Sequence, residues 1–379
     1  MRVNVLGTTL NFGYHLTRWM RDYEIDAHCY AFDNQFARDR VEWELKDGKA
    51  LDGWYHRKSF HPIRRPLYPY PQLVRELGQC DVLLTSGGYE PILAHRAGKP
   101  HVIWSLGGEL ESLPFATTNI HARLCALAQR RAIRSAARVV YSMVFQQQSS
   151  IQRLGLRRTK FLPVPMDPDA YQPLPVAQAL AEAPPHFQDA DLVVFAPARH
   201  QIDPQRYHYK GNEQLARGFA EFRRAWAGRA RLIMVQNGEY EVTQRLVDSL
   251  ELNDCVSIEP MFRRDTLRVI YSLPNVVVAD QFNRQAGLGF AGLETLFHGQ
   301  TLITSWDVTR HADVYSEPAP ILNARNAVEI TWQLFEAVRL GIEGRRQLGV
   351  RARKWVASYH NRNTIIPQLV TILQEAKRA

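Results

Sequence analysis

At 379 residues, with 45% hydrophobic and 22% charged side chains, the chain has the length and apolar content of two soluble globular domains. No apolar run approaches the ~18 residues that a membrane span needs, and the N-terminus MRVNVLGTTLNF has no long apolar stretch or small-residue cleavage site of a secretory signal. The excess of 47 Lys+Arg over 38 Asp+Glu, a formal charge of +9, predicts attraction to anions: phosphates, nucleic acid or acidic lipid headgroups. In chain order, MRVNVLG reads as a strand and GYHLTRWMRDY as the helix after it. DAHCYAF, CDVLLTS, KPHVIWS, ARVVYS and TKFLPVP are further strands, separated by helical stretches. Apolar runs buried on both faces and alternating with helices are the mark of a parallel sheet.

A Pro- and Ala-rich stretch, residues 174–190, reads as a linker. Beyond it the alternation restarts: DLVVFAPAR is a strand, NEQLARGFAEFRRAW a helix, ARLIMVQNG a strand and EVTQRLVDSL a helix. CVSIEPM, PNVVVAD and TLITS are later strands, and the C-terminus from EITWQLF onward is mostly helical. The pattern predicts an α/β protein with two Rossmann-like domains, residues 1–173 and 191–355, facing a cleft, followed by a C-terminal helix over 356–379. The cysteines, Cys29, Cys80, Cys125 and Cys255, are far apart with no CxxC spacing. That argues against a zinc site or a disulfide scaffold and for a reducing cytosol.

The most informative stretch is GLGFAGLETLFHG, Gly287 to Gly299. Gly287, Gly289 and Gly292 match G-x-G-x-x-G, but a dinucleotide fingerprint should follow its strand at once, and here polar residues separate it from VVVAD. Read whole, the stretch resembles the nucleotide-sugar motif of retaining GT-B glycosyltransferases, especially glycosyltransferase family 4, of the form E-G-F-G-x-x-x-L-E-A-x-A-x-G. Gly287, Gly289, Leu293, Glu294 and Gly299 fall in register, and Leu288 stands between the two leading glycines. TKFLPVPMDPDAYQP resembles the family's interdomain segment through Pro163, Asp167, Tyr171 and Pro173. FAPARHQIDPQRYHYKGNEQLARGFAEF resembles its GR…KG segment through Arg199, Lys210 and Gly211, and Ser142 matches a further serine. Together these cover residues 140 to 360 in order. One position departs: Ala286 stands where the family has its first Glu, which contacts sugar hydroxyls of the donor. Gln285, Asn283 and Arg284 are the neighbouring polar residues.

The resemblance implies a metal-independent, retaining enzyme that moves a sugar from a donor such as a UDP- or GDP-sugar to a hydroxyl acceptor. It implies a C-terminal domain that binds the nucleotide, an N-terminal domain that binds a glycan, lipid-linked or small-molecule acceptor, and a last helix that crosses back to the N-terminal domain. The chemistry explains the residue types. A diphosphate leaves with growing negative charge, and without a metal the fold must supply cations: Arg199 as a fork, Lys210 as a point charge. Gly287 and Gly289 would let backbone N–H groups approach the donor at a helix N-terminus, and Glu294 would accept hydrogen bonds from the ribose hydroxyls.

In the first domain, Asn11-Phe12-Gly13 takes the place of the family's Gly-Gly loop near the diphosphate, with Gly13 as the matching residue; a plain helix-start turn is the competing reading. Strand-end glycines with acids suggest an acceptor or sugar pocket, with a plain Gly-Gly turn as the competing reading: Gly107, Gly108 and Glu109 after HVIWS, and Glu90 in SGGYEP. The lone histidines His101 and His298 read as structural. A basic, aromatic segment over 54–70 carries Arg57, Lys58, Arg64 and Arg65, and a second basic cluster spans Arg130 to Arg138. Either could meet an anionic membrane, although solvated loops explain both, and nucleic acid is not favoured. The triplets Asp167-Pro-Asp169 and Asp189-Ala-Asp191 fall at the domain junction, where a catalytic metal would not sit. Two other classes remain: a non-catalytic subunit of the same fold that binds a nucleotide or glycan, and a basic protein of membrane or nucleic-acid surfaces.

Overall fold

The computed structural model describes residues 1–7, 11–32, 53–61, 68–203, 209–283 and 287–378. Ala286, Arg284, Gln285, Arg64 and Arg65 lie outside the described residues. The chain divides into two compact units, Met1–Met166 with Arg362–Ala379, and Asp167–Asn361.

Among the described residues, the first unit carries a seven-stranded sheet in the order β3-β2-β1-β4-β5-β6-β7, parallel throughout. Its strands are β1 (Arg2–Leu6), β2 (Asp26–Phe32), β3 (Tyr55–Lys58), β4 (Val82–Thr85), β5 (His101–Ser105), β6 (Arg138–Tyr141) and β7 (Thr159–Phe161). The central strands are continuous apolar runs because helices cover both faces: every residue of β4 and β5 is buried. Edge strand β3 was not foreseen. Its sequence YHRK carries cations, and its side chains are half-buried or, at Arg57, exposed, so it lacks an apolar run. Its register, Cys29 opposite Tyr55, seats Tyr55 beside Tyr14 of α1 (Phe12–Arg21). Lys58 pairs with Glu76 at 2.8 Å.

The second unit repeats the design. Among the described residues its six strands run β10-β9-β8-β11-β12-β13, all parallel. They are β8 (Leu192–Ala196), β9 (Ala230–Val235), β10 (Val256–Glu259), β11 (Val276–Ala279), β12 (Leu302–Thr304) and β13 (Leu322–Asn323). In both sheets the strand order reverses beside the first strand, between β1 and β4 and between β8 and β11. Those two switch points open at the carboxyl ends of the strands, where ligands bind in such sheets.

The 174–190 stretch is folded within the second unit. It forms a helix over Val176–Glu182 and a 3-10 turn over Pro185–Phe187. Phe187 is fully buried, edge-on to Phe195 and Phe262, and Asn275 Nδ2 donates to the carbonyls of Phe187 and Ala190. Asp189 and Asp191 pair with Arg231 and Arg229.

Helical residues Ala327–Tyr359, broken at Gly341, complete the second unit, and the last helix, Arg362–Arg378, returns to the first. Its apolar face, Ile365, Ile366, Leu369, Ile372 and Leu373, is buried there. Arg362 to Asp22 (2.6 Å), Arg138 to Glu375 (3.4 Å) and Lys377 to Asp81 (3.1 Å) are ion pairs along its length. Among the described residues no helix is long and apolar enough to cross a membrane, and no group of His, Cys, Asp and Glu is placed to hold a metal ion.

Candidate functional site

The switch point of the second unit gathers most of the expected donor residues. Arg199 follows β8 and is half-buried, its stem over Gly238, where a Cβ would come within 2.6 Å of Arg199 Cγ. Its neighbour His200 is fully buried and fixed at both ring nitrogens, by Thr243 Oγ1 (2.7 Å) and the Val235 carbonyl (2.9 Å). Lys210 lies just before helix Asn212–Ala225. Its N–H donates to the Gln201 carbonyl, and its own carbonyl accepts the Phe282 N–H at 2.8 Å. The Lys210 ammonium donates to Gln281 Oε1.

Gly289 is the N-cap of helix α11 (Phe290–Phe297). Gly287 sits against His311, and Leu288 is buried. Glu294 lies on α11, half-exposed, close enough to the buried Tyr271 hydroxyl to raise its pKa further beyond the effect of burial. The Glu294 carbonyl accepts the N–H and Nδ1–H of His298. Burial, which outweighs that bond, keeps His298 neutral at the helix end.

Sequence reasoning missed two residues here, Asp280 and Gln281, both buried at the carboxyl end of β11. Burial pushes the Asp280 carboxyl pKa up. The Lys210 charge, Gln281 and the Gly292 N–H in the first turn of α11 work against that shift. The signal was available: they are the first polar residues after VVVA, at a switch point.

The acceptor candidates gather in the first unit, at the ends of β4 and β5. Glu109 is buried, and its Oε2 accepts the Gly107 N–H (2.9 Å) and Ser105 Oγ–H (3.2 Å). Gly108 opens the short helix Gly108–Glu111. Glu90 heads helix Glu90–Arg96, and its Oε2 has no hydrogen-bond partner among the described residues. Gln129 Nε2 ties the two loops together, donating to the Gly88 and Glu109 carbonyls. A third acid was missed. Glu111 lies close to Glu109, although GELE reads as an ordinary exposed helix start. Burial, reinforced by Glu109, pushes the Glu111 pKa up to about 9, and burial with Glu109 raises that of Glu90 to about 7. Glu109 is raised by burial too.

Gly13 is the second residue of α1, where a Cβ would lie 1.8 Å from the Gly7 carbonyl oxygen. His101 bonds the Ala132 carbonyl, a structural role. In the 130–138 cluster, Arg134 donates to the Leu154 carbonyl and Arg138 meets Glu375.

These shifts give the two units opposite acid responses. Burial lowers His200 and His298 to about 4. Since the unfolded imidazole takes its proton first, the second unit loses stability as pH falls from about 6.5 toward 4, by at most about 3 kcal/mol for each histidine. Asp280, raised by burial, acts in the opposite sense within that unit. For Glu90 and Glu111 the unfolded carboxyl ionises first, so the first unit loses stability as pH rises above about 4. Amide exchange, corrected for intrinsic rates, should quicken in 82–105 between about pH 5 and 8, and in 192–235 between about pH 7 and 5. A uniform response of both segments would contradict these assignments.

No protein-family model and no curated protein matches the sequence. Solved structures do match over nearly the full length. HepE of Anabaena, in complex with UDP and glucose, aligns with a TM-score of 0.70 at 15% identity over 99% of both chains. The sucrose-phosphate synthase of Thermosynechococcus elongatus aligns at 0.69 and 13% identity over 99% of both chains. A glycosyltransferase of Rickettsia africae aligns at 0.69 and 11% identity over 99% of this chain and 98% of its own. Identities this low establish likeness of architecture, and with the two doubly wound parallel sheets and the returning last helix they show that the chain has the GT-B fold.

Proposed function

We propose that the protein is a retaining glycosyltransferase of the family 4 type, moving a hexosyl or N-acetylhexosaminyl group from a nucleotide-diphosphate sugar to the hydroxyl of a glycan, lipid-linked or small-molecule acceptor. The observation that carries the proposal is the set at the second switch point: Arg199, Lys210 and the N-terminus of α11 with Glu294 one turn further in. Cations and a helix N-terminus together suit a diphosphate. The alignment with HepE, solved with UDP-glucose, supports a uridine donor.

In this reading the C1–O bond to the diphosphate breaks and the acceptor oxygen bonds C1 on the same face, its proton passing to the departing phosphate oxygen. Arg199 and Lys210 stabilise the charge that develops on the diphosphate, so no metal is required. Glu109 and Glu90, with the strand-end glycines Gly107 and Gly108, serve the sugar and acceptor. Peripheral attachment to anionic lipid through the basic residues of the first unit, on the cytoplasmic side, belongs to the same proposal.

The test is a thermal-shift panel of UDP, GDP, ADP and their sugars, run with and without EDTA. A metal-insensitive shift with one nucleotide is expected, weakened about a hundredfold or more in affinity by Glu294→Ala as two ribose hydrogen bonds to a charged acceptor are lost. Retention is read from the anomeric configuration of the product, and lipid contact from cosedimentation with anionic vesicles. No shift with any nucleotide would sink the reading. Binding without transfer or hydrolysis would favour a non-catalytic nucleotide-binding subunit.

A further inference from the structure

We infer that Gln281, oriented by the buried carboxylate of Asp280, positions the Lys210 ammonium for the departing diphosphate. The inference rests on the donor-site reading above.

Asp280 is 3% exposed. Its carboxylate accepts the Gly292 N–H in the first turn of α11, where the N-cap Gly289 has no side chain to do so. It also accepts Gln281 Nε2 at 3.3 Å. An ionised carboxylate only accepts, so the Gln281 amide must turn its NH2 toward Asp280 and its Oε1 away. That Oε1 receives the Lys210 ammonium. The helix N-terminus fixes the acid, the acid fixes the amide, and the amide fixes the cation.

The backbone is arranged for the same end. Gln281 has φ 51°, a left-handed conformation that a non-glycine residue adopts at a cost. Its carbonyl is held by the Ser305 N–H (3.0 Å) and Thr304 Oγ1–H (3.2 Å). A Cβ on Gly289 would stand 2.2 Å from Gln281 Nε2. The glycine at 289 therefore makes room for this amide. A lysine ammonium on a flexible four-carbon stem needs such a fixed acceptor to stay in one place.

The relay has a direction, which makes it testable by reversing it. In Asp280→Asn, the new amide oxygen takes the Gly292 N–H and its NH2 faces Gln281. Gln281 must then flip, turning its own NH2 toward Lys210 and expelling the ammonium. In the double variant Asp280→Asn/Gln281→Glu, the asparagine NH2 donates to the glutamate, whose other oxygen accepts Lys210 again. Gln281→Met keeps the length, removes the acceptor and covers the case in which Asp280→Asn does not fold.

Two readouts are taken on the full chain. With UDP-glucose as donor, Asp280→Asn and Gln281→Met should lower kcat about a hundredfold with little change in KM, and the double variant should recover most of the loss. In nucleotide-free protein, the Lys210 side-chain 1H–15N signal, assigned by its loss in Lys210→Arg, should persist in wild type and the double variant and vanish through exchange in the other two. Wild-type kcat and a persistent signal in Gln281→Met, or a double variant no better than Asp280→Asn in either readout, would overturn the relay. If wild type transfers no sugar, the proposed activity fails, while the spectra still decide the relay.

Discussion

Alanine in place of Lys210 should lower turnover by two to three orders of magnitude, about the loss seen when one preorganised donor to a developing charge is removed. It should leave the fold in place. The Lys210 backbone is held without its side chain, through its N–H to Gln201 and its carbonyl to Phe282. Among the interactions the mutation strips from the folded state are a hydrogen bond to the buried Gln281 and the positive charge that favours ionised Asp280. Leaving that acceptor unsatisfied costs about 1–2 kcal/mol, or a few degrees in melting temperature for a domain of this size. Turnover and melting curves measured side by side separate the two effects. A variant that keeps wild-type kcat, whatever its melting temperature, would remove Lys210 from the chemistry. A variant that loses activity in proportion to folded protein would make the lysine structural.

Much of the architecture can be read from the residues, because a sheet covered on both faces needs unbroken apolar strands. VNVL, VLLT, VVFA and VVVA each announce themselves this way and each is a central strand. YHRK does not, since an edge strand half-open to solvent tolerates cations. The 174–190 stretch shows the converse. Its prolines suggest a linker, but Ala179, Ala183 and Phe187 are apolar residues with a core to join. The site divides along a similar line. Lys210 and Glu294 each stand in a motif read along neighbouring residues, so resemblance finds them. The Lys210–Gln281 contact joins residues 71 apart in the chain, and only the pairing of β8 with β11 brings them together. Glu111 was missed for a related reason. A charged residue in GELE defaults to the surface, and its burial depends on how the loop after β5 folds over Glu109.

Gly13→Ala is expected to destabilise the first unit by about 3 kcal/mol or more, as overpacking against an immovable backbone does. The obstacle, the Gly7 carbonyl oxygen at 1.8 Å, cannot retreat. The Gly7 N–H is bonded to the Tyr30 carbonyl, its carbonyl receives Ser86 Oγ–H, and the Ser86 N–H is bonded to Leu6, so β1 is clamped from both neighbouring strands. Ser86 Oγ itself would stand 2.9 Å from the new methyl, closing the other side. At about 2–4 °C per kcal/mol, the melting temperature of the unit should fall by roughly 10 °C. Gly289→Ala makes the contrast. There the obstacle is the end of a flexible side chain, Gln281 Nε2, which can swing away. That variant should melt within a few degrees of wild type yet lose activity, because the amide that swings away releases Lys210. Two glycines that the family resemblance links to the donor are thus expected to fail in different ways, one in stability and the other in rate. If Gly13→Ala melts normally and loses nucleotide binding instead, the close approach of α1 to β1 is not what requires glycine there, and Gly13 belongs with the donor after all.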